Sequence, residues 1–323
     1  MRLKDKILAA LEDSDTYLSG EGLASLYGVS RAAVWKAIKA LQQEGYQIKA
    51  VPKRGYFLDS YGDRLDKEAI LEAYHGKMPL EILCYETLES TNDLAKGLAE
   101  KGAHEWTVVL SESQTKGKGR LGRAFYSPKG SGIYMSILLR PNLPIAEASL
   151  LTLFGATIVS ETISHFLDDD VQIKWVNDIF YQGKKVSGIL TEASLSLEGD
   201  ILDYLVLGIG INVTLDKARL SDELKPIVGS LYEEEVPKNF RNLFIGELLT
   251  RLANEYQAFN EKAFLERYRA YSMVLGKWVN IHYRDRIEEA EALEIMDDGA
   301  LFVKMANGEL RKINSGEVSL RMK

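Results

Sequence analysis

The segment Gln114-Thr-Lys-Gly-Lys-Gly-Arg-Leu-Gly-Arg123 constrains this chain more than any other. Gly117, Gly119 and Gly122 satisfy the spacing G-x-G-x-x-G. A dinucleotide-binding loop with that spacing opens directly into a helix, whose N-terminus receives the pyrophosphate. Here Arg123 is followed by Ala-Phe-Tyr-Ser-Pro-Lys-Gly-Ser-Gly132, which does not begin a helix, and no acidic residue stands where the ribose would need one. The nucleotide-binding βαβ fold is excluded on context. What remains is a loop in which three glycines let backbone N–H groups approach a ligand, with Lys116, Lys118, Arg120 and Arg123 interleaved. Such a loop suits an anion with carboxylate and phosphate character. Its packed like charges repel, so the empty loop is expected to be mobile and to order on the ligand.

The patterns around this loop predict a layered α/β region. Residues 107–111, 133–139, 173–181 and 186–191 read as strands, and 92–101 and 146–167 as helices. Residues 204–213 form a nearly continuous apolar run, as in a strand buried on both faces. Helices follow over 240–259 and 262–271. Beyond Gly276, Asp298-Gly299 and Asn307-Gly308 are hairpin signals between short alternating runs, which predicts a small β-barrel.

The first 58 residues read differently. Leu3, Ile7, Leu8 and Leu11 have helical spacing. Ser19 is a plausible cap for a second helix ending near Tyr27, and Gly28 suits the tight turn after it. Ser30 caps a third helix, with Val34, Ile38 and Leu41 facing inward and Gly45 at its end. Two short strands then flank Pro52-Lys53-Arg54-Gly55. This order is a winged helix-turn-helix. Charge supports it. The whole chain of 323 residues carries a net charge of −7, yet between Ser30 and Tyr56 six basic residues face one acid, Glu44. Arg31, Trp35 and Lys39 share one helix face, beside Ala32 and Lys36, and that face is expected to enter a major groove. Lys53 and Arg54 at the hairpin tip suit phosphates. One such head has a small footprint, so specific binding implies a dimer. A charged linker, 59–67, and a helix from about Lys67 to Tyr74 follow.

Composition narrows the setting. A single cysteine, Cys84, excludes an internal disulfide framework, fits a reducing compartment and is expected in the core. The four histidines are scattered and form no metal-ligand cluster. No apolar stretch approaches the roughly 20 residues needed to cross a bilayer, and the charged start lacks a signal-peptide pattern.

The glycine-rich loop is similar to the signature G-R-G-R-x-G-R of biotin–protein ligases, with Lys118 in place of the first arginine. Other segments agree in order. Ser90-Thr91-Asn92 resembles the family's S-T-N turn, and Lys174-Trp175-Val176-Asn177-Asp178 its K-W-P-N-D motif with valine for proline. Lys185-Val-Ser-Gly188-Ile-Leu190 and Gly208-Ile-Gly210-Ile-Asn212 resemble K-x-x-G-I-L and G-x-G-I-N. The resemblance covers nearly the whole chain.

It implies an α+β multidomain protein. Residues 1–60 are the winged helix-turn-helix, 61–274 a mixed α/β ligase domain of the class II synthetase-like biotin–lipoate type, and 275–323 a small SH3-like β-barrel. It implies that biotin and Mg-ATP form biotinyl-5′-AMP, and that a lysine of a biotin carboxyl carrier domain, of acetyl-CoA or pyruvate carboxylase, then takes the biotin. Ser90, Thr91, Asn92, Gln114, Gly117, Lys118, Gly119, Arg120, Lys185 and Gly188 would hold biotin. Arg120, Arg123, Asn177, Lys185 and Asn212 would meet the nucleotide, and Asp178 would meet Mg²⁺. Lys185 and Arg120 carry the catalytic roles, while Phe125 or Tyr126 could cover the anhydride. The N-terminal residues Ser30, Arg31, Ala32, Trp35, Lys36, Lys39, Lys53 and Arg54 would bind operator DNA of biotin genes. The adenylate-bound form is expected to be a cytoplasmic homodimer that represses them. The alternatives are a lipoate–protein ligase, against which the missing arginine-arginine and triple-glycine loop argues, and a biotin sensor without catalysis, against which Lys185, Arg120 and Asp178 argue.

Overall fold

The structure, a computed structural model, describes residues 2–12, 14, 16–60, 64–167, 170–195, 201–282, 286–314 and 316–320. It divides into two compact units, Met1–Asp66 with Pro237–Leu243, and Lys67–Val236 with Phe244–Lys323. Residues 61–63 of the expected linker and 321–323 at the end lie outside the described residues.

The first unit holds helices α1 (Leu3–Glu12), α2 (Gly20–Tyr27) and α3 (Arg31–Gln43), then the antiparallel hairpin of β1 (Gln47–Val51) and β2 (Gly55–Ser60). Its caps are the expected ones. Ser19 Oγ accepts from Gly22 N and Ser30 Oγ from Ala33 N, each contact contributing about 1 kcal/mol. Gly28 takes φ 64°, the left-handed conformation that ends α2. Ile7, Leu11, Leu23, Val34, Ile38 and Leu41 form the core with Ile48. The segment after the wing is pinned within this unit. Arg64 donates to Tyr46 Oη at 2.8 Å, while Asn242 Nδ2 donates to Arg64 O at 2.7 Å and Asn242 Oδ1 accepts from Asp66 N at 3.0 Å.

The second unit begins with α4 (Lys67–Ala73), β3 (Glu81–Tyr85), α5 (Thr91–Glu100), β4 (Thr107–Ser111) and β5 (Gly132–Leu139). Then come α6 (Ala148–Leu167), β6 (Val171–Lys174), β7 (Asp178–Tyr181), β8 (Lys184–Leu195) and β9 (Leu202–Asn212). Strands β3 to β9 form one mixed sheet in the order β3-β4-β5-β9-β8-β7-β6, parallel only between β3 and β4. The expected single strand over 173–181 is therefore two, because the chain turns at Trp175–Asn177 so that Lys174 pairs with Asp178. The Trp175–Val176 peptide is cis.

Strand alternation decides which face receives the site. Tyr204 and Val206 of β9 pack with Ala95 and Ala99 of α5, while Leu207 lies against Gly155 of α6. Even-numbered residues of β5, β8 and β9 thus share the α5 face. Helix α6 is apolar and long enough by composition to cross a membrane, contrary to the sequence expectation. Most of it is buried in the protein, as a core helix is. Cys84 is exposed rather than buried, because β3 is an edge strand on which only Ile82 is fully covered.

Helices α7 (Phe240–Tyr256) and α8 (Phe264–Tyr271) lead to β10 (Trp278–His282), β11 (Ile287–Ile295), β12 (Leu301–Met305), β13 (Leu310–Ile313) and β14 (Glu317–Leu320). These five strands are antiparallel in the order β13-β12-β11-β10-β14. Among the described residues β13 and β14 do not pair, so the expected barrel is not closed. It is nevertheless curled. Ile313 and Glu317 lie on opposite edges, and the chain between them can reach roughly 14 Å, whereas a flat five-stranded sheet is about 19 Å across.

Candidate functional site

The turn into α5 builds one pocket. Ser90 caps the helix, its Oγ accepting from Asp93 N. Ser90, Thr91 and Asn92 are all buried. Thr91 N donates to Gln114 Oε1 at 2.8 Å, and Gln114 Nε2 donates to Ser127 Oγ at 3.0 Å, so the glycine-rich segment starts anchored to α5. Behind them, Ser136 Oγ lies 2.7 Å from Thr91 Oγ1 and donates to Asn92 Oδ1 at 2.6 Å, while Asn92 Nδ2 donates to Glu192 at 2.7 Å. The glycines of β9 make room: a Cβ on Gly208 would lie 2.2 Å from Asn92 Oδ1, and one on Gly210 would strike the Phe125 ring at 2.6 Å. Sequence reasoning missed Ser127, Ser136 and Glu192. A lone polar residue within an apolar strand run was the available signal for Ser136 and Glu192, since such groups are buried only with partners.

No helix follows the loop. Residues 120–122 make a single 3-10 turn, Lys118 bridges to Ala124, and the chain reaches β5 through a turn at Lys129–Gly130. The repulsion expected among the four cations is offset by separate partners. Lys116 pairs with Glu89 at 3.0 Å and Lys118 with Asp93 at 2.6 Å. Arg120 donates to Asn177 Oδ1 at 3.1 Å and Gly316 O at 3.4 Å, and Arg123 grips both oxygens of Glu317 at 2.8 and 2.6 Å.

Beyond the loop opens a second cavity of about 400 Å³. Arg120, Arg123, Lys174, Asn177, Lys185 and Asn212 line its polar side, and Leu215, Leu220, Leu224 and Ile227 its apolar side. Lys118, Phe125, Gly188 and Leu190 line both cavities, which therefore adjoin. Lys185 Nζ is 2.6 Å and Lys174 Nζ 3.5 Å from Asp178. Burial pulls the Arg120 pKa below the usual guanidinium value, against the opposing pull of Asp178 and Glu317. The Arg123 ion pair holds the Glu317 carboxyl below its ordinary range. Asn177 Nδ2 donates to Ile189 O and Asn212 Nδ2 to Gly229 O, so both amides also brace the backbone around the cavity. Phe125 covers Gly210, and Tyr126 is exposed. Tyr268 donates to Val176 O behind the turn, and its burial raises its pKa well above the usual phenol. Among the described residues no group of three or more His, Cys, Asp or Glu side chains could hold a metal. Asp178 alone fits a cation only when the ligand supplies the other oxygens.

On the first unit Ser30, Arg31, Ala32, Trp35, Lys36 and Lys39 are exposed on α3, as are Lys53 and Arg54 at the hairpin tip. Trp35 is 52% exposed. The Arg54 guanidinium lies 5.8 Å from the Tyr17 ring centre.

Comparison with known proteins agrees with this arrangement. Residues 84–212 match the Biotin/lipoate A/B protein ligase family, 4–57 an HTH domain and 274–321 the Biotin protein ligase C terminal domain. Together the fold and its two cavities define a biotin/lipoate-type protein ligase with a helix-turn-helix head. The chain is 32% identical to the bifunctional ligase/repressor BirA of Bacillus subtilis, over 98% of both chains, and 28% identical to that of Escherichia coli, over 98% of this chain and 96% of the other. It belongs to the bifunctional ligase/repressor family. Among solved structures, a biotin protein ligase from Aquifex aeolicus in complex with biotin and ATP superposes with a TM-score of 0.59 at 29% identity, covering 75% of this chain and 99% of that one.

Proposed function

We propose that this chain activates biotin with ATP, transfers it to a protein lysine, and represses transcription through its helix-turn-helix head. The carrying observation is that the small pocket at Ser90, Thr91 and Gln114 adjoins a larger cavity ringed by Arg120, Lys185 and Asn177. A ligand with a small polar ring at one end and a nucleotide at the other fits that pair. In the first step a biotin carboxylate oxygen attacks the α-phosphorus of ATP and pyrophosphate leaves. Three anionic groups meet there, so Lys185 and Arg120 act by stabilising developing charge. Arg123, Asn177 and Asn212 belong to the nucleotide, while Gly117, Lys118, Gly119 and Gly188 face the biotin chain. Asp178, beside Lys185, would be the carboxylate that meets the Mg²⁺ of a Mg-nucleotide, which would supply charge neutralisation at the phosphates. In the second step the acceptor's amine attacks the acyl carbon and AMP leaves. Phe125 and the loop keep water from the anhydride.

The acceptor on this reading is the biotin carboxyl carrier domain of a carboxylase. The operator is that of biotin genes, the repressing form is an adenylate-bound homodimer, and the compartment is the cytoplasm. The C-terminal sheet is an SH3-like element whose Gly316 and Glu317 steady the loop. Biotin-dependent exchange of pyrophosphate with ATP, followed by labelling of a carrier domain, tests the ligase; lipoate is the control. Exchange supported by lipoate and not by biotin would overturn the reading.

A further inference from the structure

The hydrogen bonds behind Ser90, Thr91 and Gln114 have a definite direction. Glu192 accepts from Lys96 Nζ at 2.6 Å and from Asn92 Nδ2 at 2.7 Å. An inverted Asn92 amide would set two acceptors against each other, so Oδ1 must face Ser136. A hydroxyl has one hydrogen, and Ser136 therefore gives its hydrogen to Asn92 Oδ1 at 2.6 Å. Thr91 Oγ1 lies 2.7 Å from Ser136 Oγ and 3.2 Å from Gln114 Oε1; with the Ser136 hydrogen given to Asn92, the shorter contact takes the Thr91 hydrogen inward. Thr91 has only lone pairs left for the pocket. Gln114 is fixed the same way: Oε1 must meet the Thr91 N–H at 2.8 Å, and Nε2 donates to Ser127, whose own hydrogen goes to Phe125 O. Ser136 is fully buried and Asn92 nearly so, which leaves water little room to rescue a wrong polarity.

We propose that Glu192 is a positioning residue which, through Asn92 and Ser136, makes Thr91 a hydrogen-bond acceptor beside the acceptor oxygen of Gln114, and so selects a ring carrying N–H donors. A cyclic urea supplies such donors, and its carbonyl finds a donor in Ser90, whose Oγ accepts only from Asp93 N. A dithiolane ring supplies none. The inference rests on the reading of this pocket as the biotin pocket and names the residue behind its choice of ring. Sites built to hydrogen-bond a donor reject ligands that lack it more strongly than apolar pockets discriminate by size.

The isosteric change Glu192→Gln tests the chain. Lys96 can only donate, so the new amide must turn its oxygen to Lys96 and its NH₂ to Asn92. Asn92 then inverts, Ser136 gives its hydrogen to Thr91, and the Thr91 hydrogen turns out to Gln114 Oε1, 3.2 Å away, occupying an acceptor that the urea N–H needs. In full-length protein, KM for biotin in the exchange assay is expected to rise about tenfold to a hundredfold, with kcat at saturating biotin within about threefold. Ser136→Ala breaks the chain one link later. It should raise KM alone, and adding Glu192→Gln to it should change nothing further, the non-additivity of a shared route. A biotin methylated on both ureido nitrogens should be turned over with equal KM by wild type and Glu192→Gln. An unchanged biotin KM in Glu192→Gln, independent addition of the two substitutions, or an equal effect on the methylated ligand would overturn the proposal. Should Glu192→Gln not fold, an unchanged KM in Ser136→Ala overturns it instead. Absence of biotin-dependent exchange in wild type would count against the ligase reading, a separate result.

Discussion

Lys185 Nζ lies 2.6 Å from Asp178 Oδ1, with Lys174 3.5 Å from the same carboxylate. The ammonium that faces the larger cavity is thus aimed by a side chain across the β7–β8 pair. Lys185→Ala is expected to lower biotin-dependent exchange by about 10²–10³. Asp178→Asn is expected to raise the Mg²⁺ concentration needed for half-maximal exchange, measured by titration at fixed ATP. An unaltered Mg²⁺ requirement would reduce Asp178 to a partner for the two lysines.

Arg120 is held between Asn177 and the backbone of Gly316. Its partner on the proposed reading is the adenylate rather than biotin. Arg120→Ala should therefore speed release of biotinyl-AMP by at least tenfold, about the effect of one charge-assisted hydrogen bond, and leave release of free biotin within about twofold. Equal effects on both ligands would make Arg120 a general anchor.

The Arg123–Glu317 pair predicts an acid limit. Arg123 depresses the Glu317 pKa. A depressed folded value means the contribution is complete above the unfolded value, about 4.3, and is lost as pH falls through the lower folded value. Arg123 is 66% exposed, so the pair contributes about 0.5–1 kcal/mol at most. The melting temperature of Glu317→Gln should lie slightly below wild type at pH 7, and the gap should close well below pH 4. A gap that persists at low pH would contradict the assignment.

Truncation should separate the activities. A protein beginning at Arg64 keeps the Asn242 contacts to Arg64 O and Asp66 N, while one beginning at Lys67 loses both. The first should biotinylate a carrier domain at a rate near that of the full chain and bind no operator. The second should be less stable by about 1–3 kcal/mol, because the Asn242 amide loses two of its three partners and keeps only Asn239. Chemical denaturation of the two compares them directly.

Repression should follow ligand occupancy. The adenylate is expected to favour the homodimer and to tighten operator binding by roughly 5–150-fold, the range of ordinary couplings. Sedimentation with and without biotin and ATP, with DNA binding at fixed salt, measures both. Unchanged values would leave the two ends merely tethered.

The helix-turn-helix head was legible because its signals are local. Ser19, Gly28 and Ser30 act within four residues of their own positions, and Val34, Ile38 and Leu41 repeat with the helix. The loop from Gln114 to Arg123 was legible for the same reason, as glycine density and charge need no partner to be read. The turn at Trp175–Asn177 was missed, since its flanks are apolar enough to pass for one strand.

The amino-acid sequence by itself determined the order of the elements, the cationic character of the loop and the basic face of α3. These follow from backbone preference and side-chain charge, which act over a few residues. Only the tertiary structure decided what each charged or polar group meets. Glu192 reaches Asn92 across 100 positions, Arg123 reaches Glu317 across 194, and Arg120 reaches Gly316 across 196. Such pairs exist because alternation in β5, β8 and β9 puts their even-numbered residues on one face, and because the C-terminal sheet curls its edges together. No spacing in the sequence records either fact.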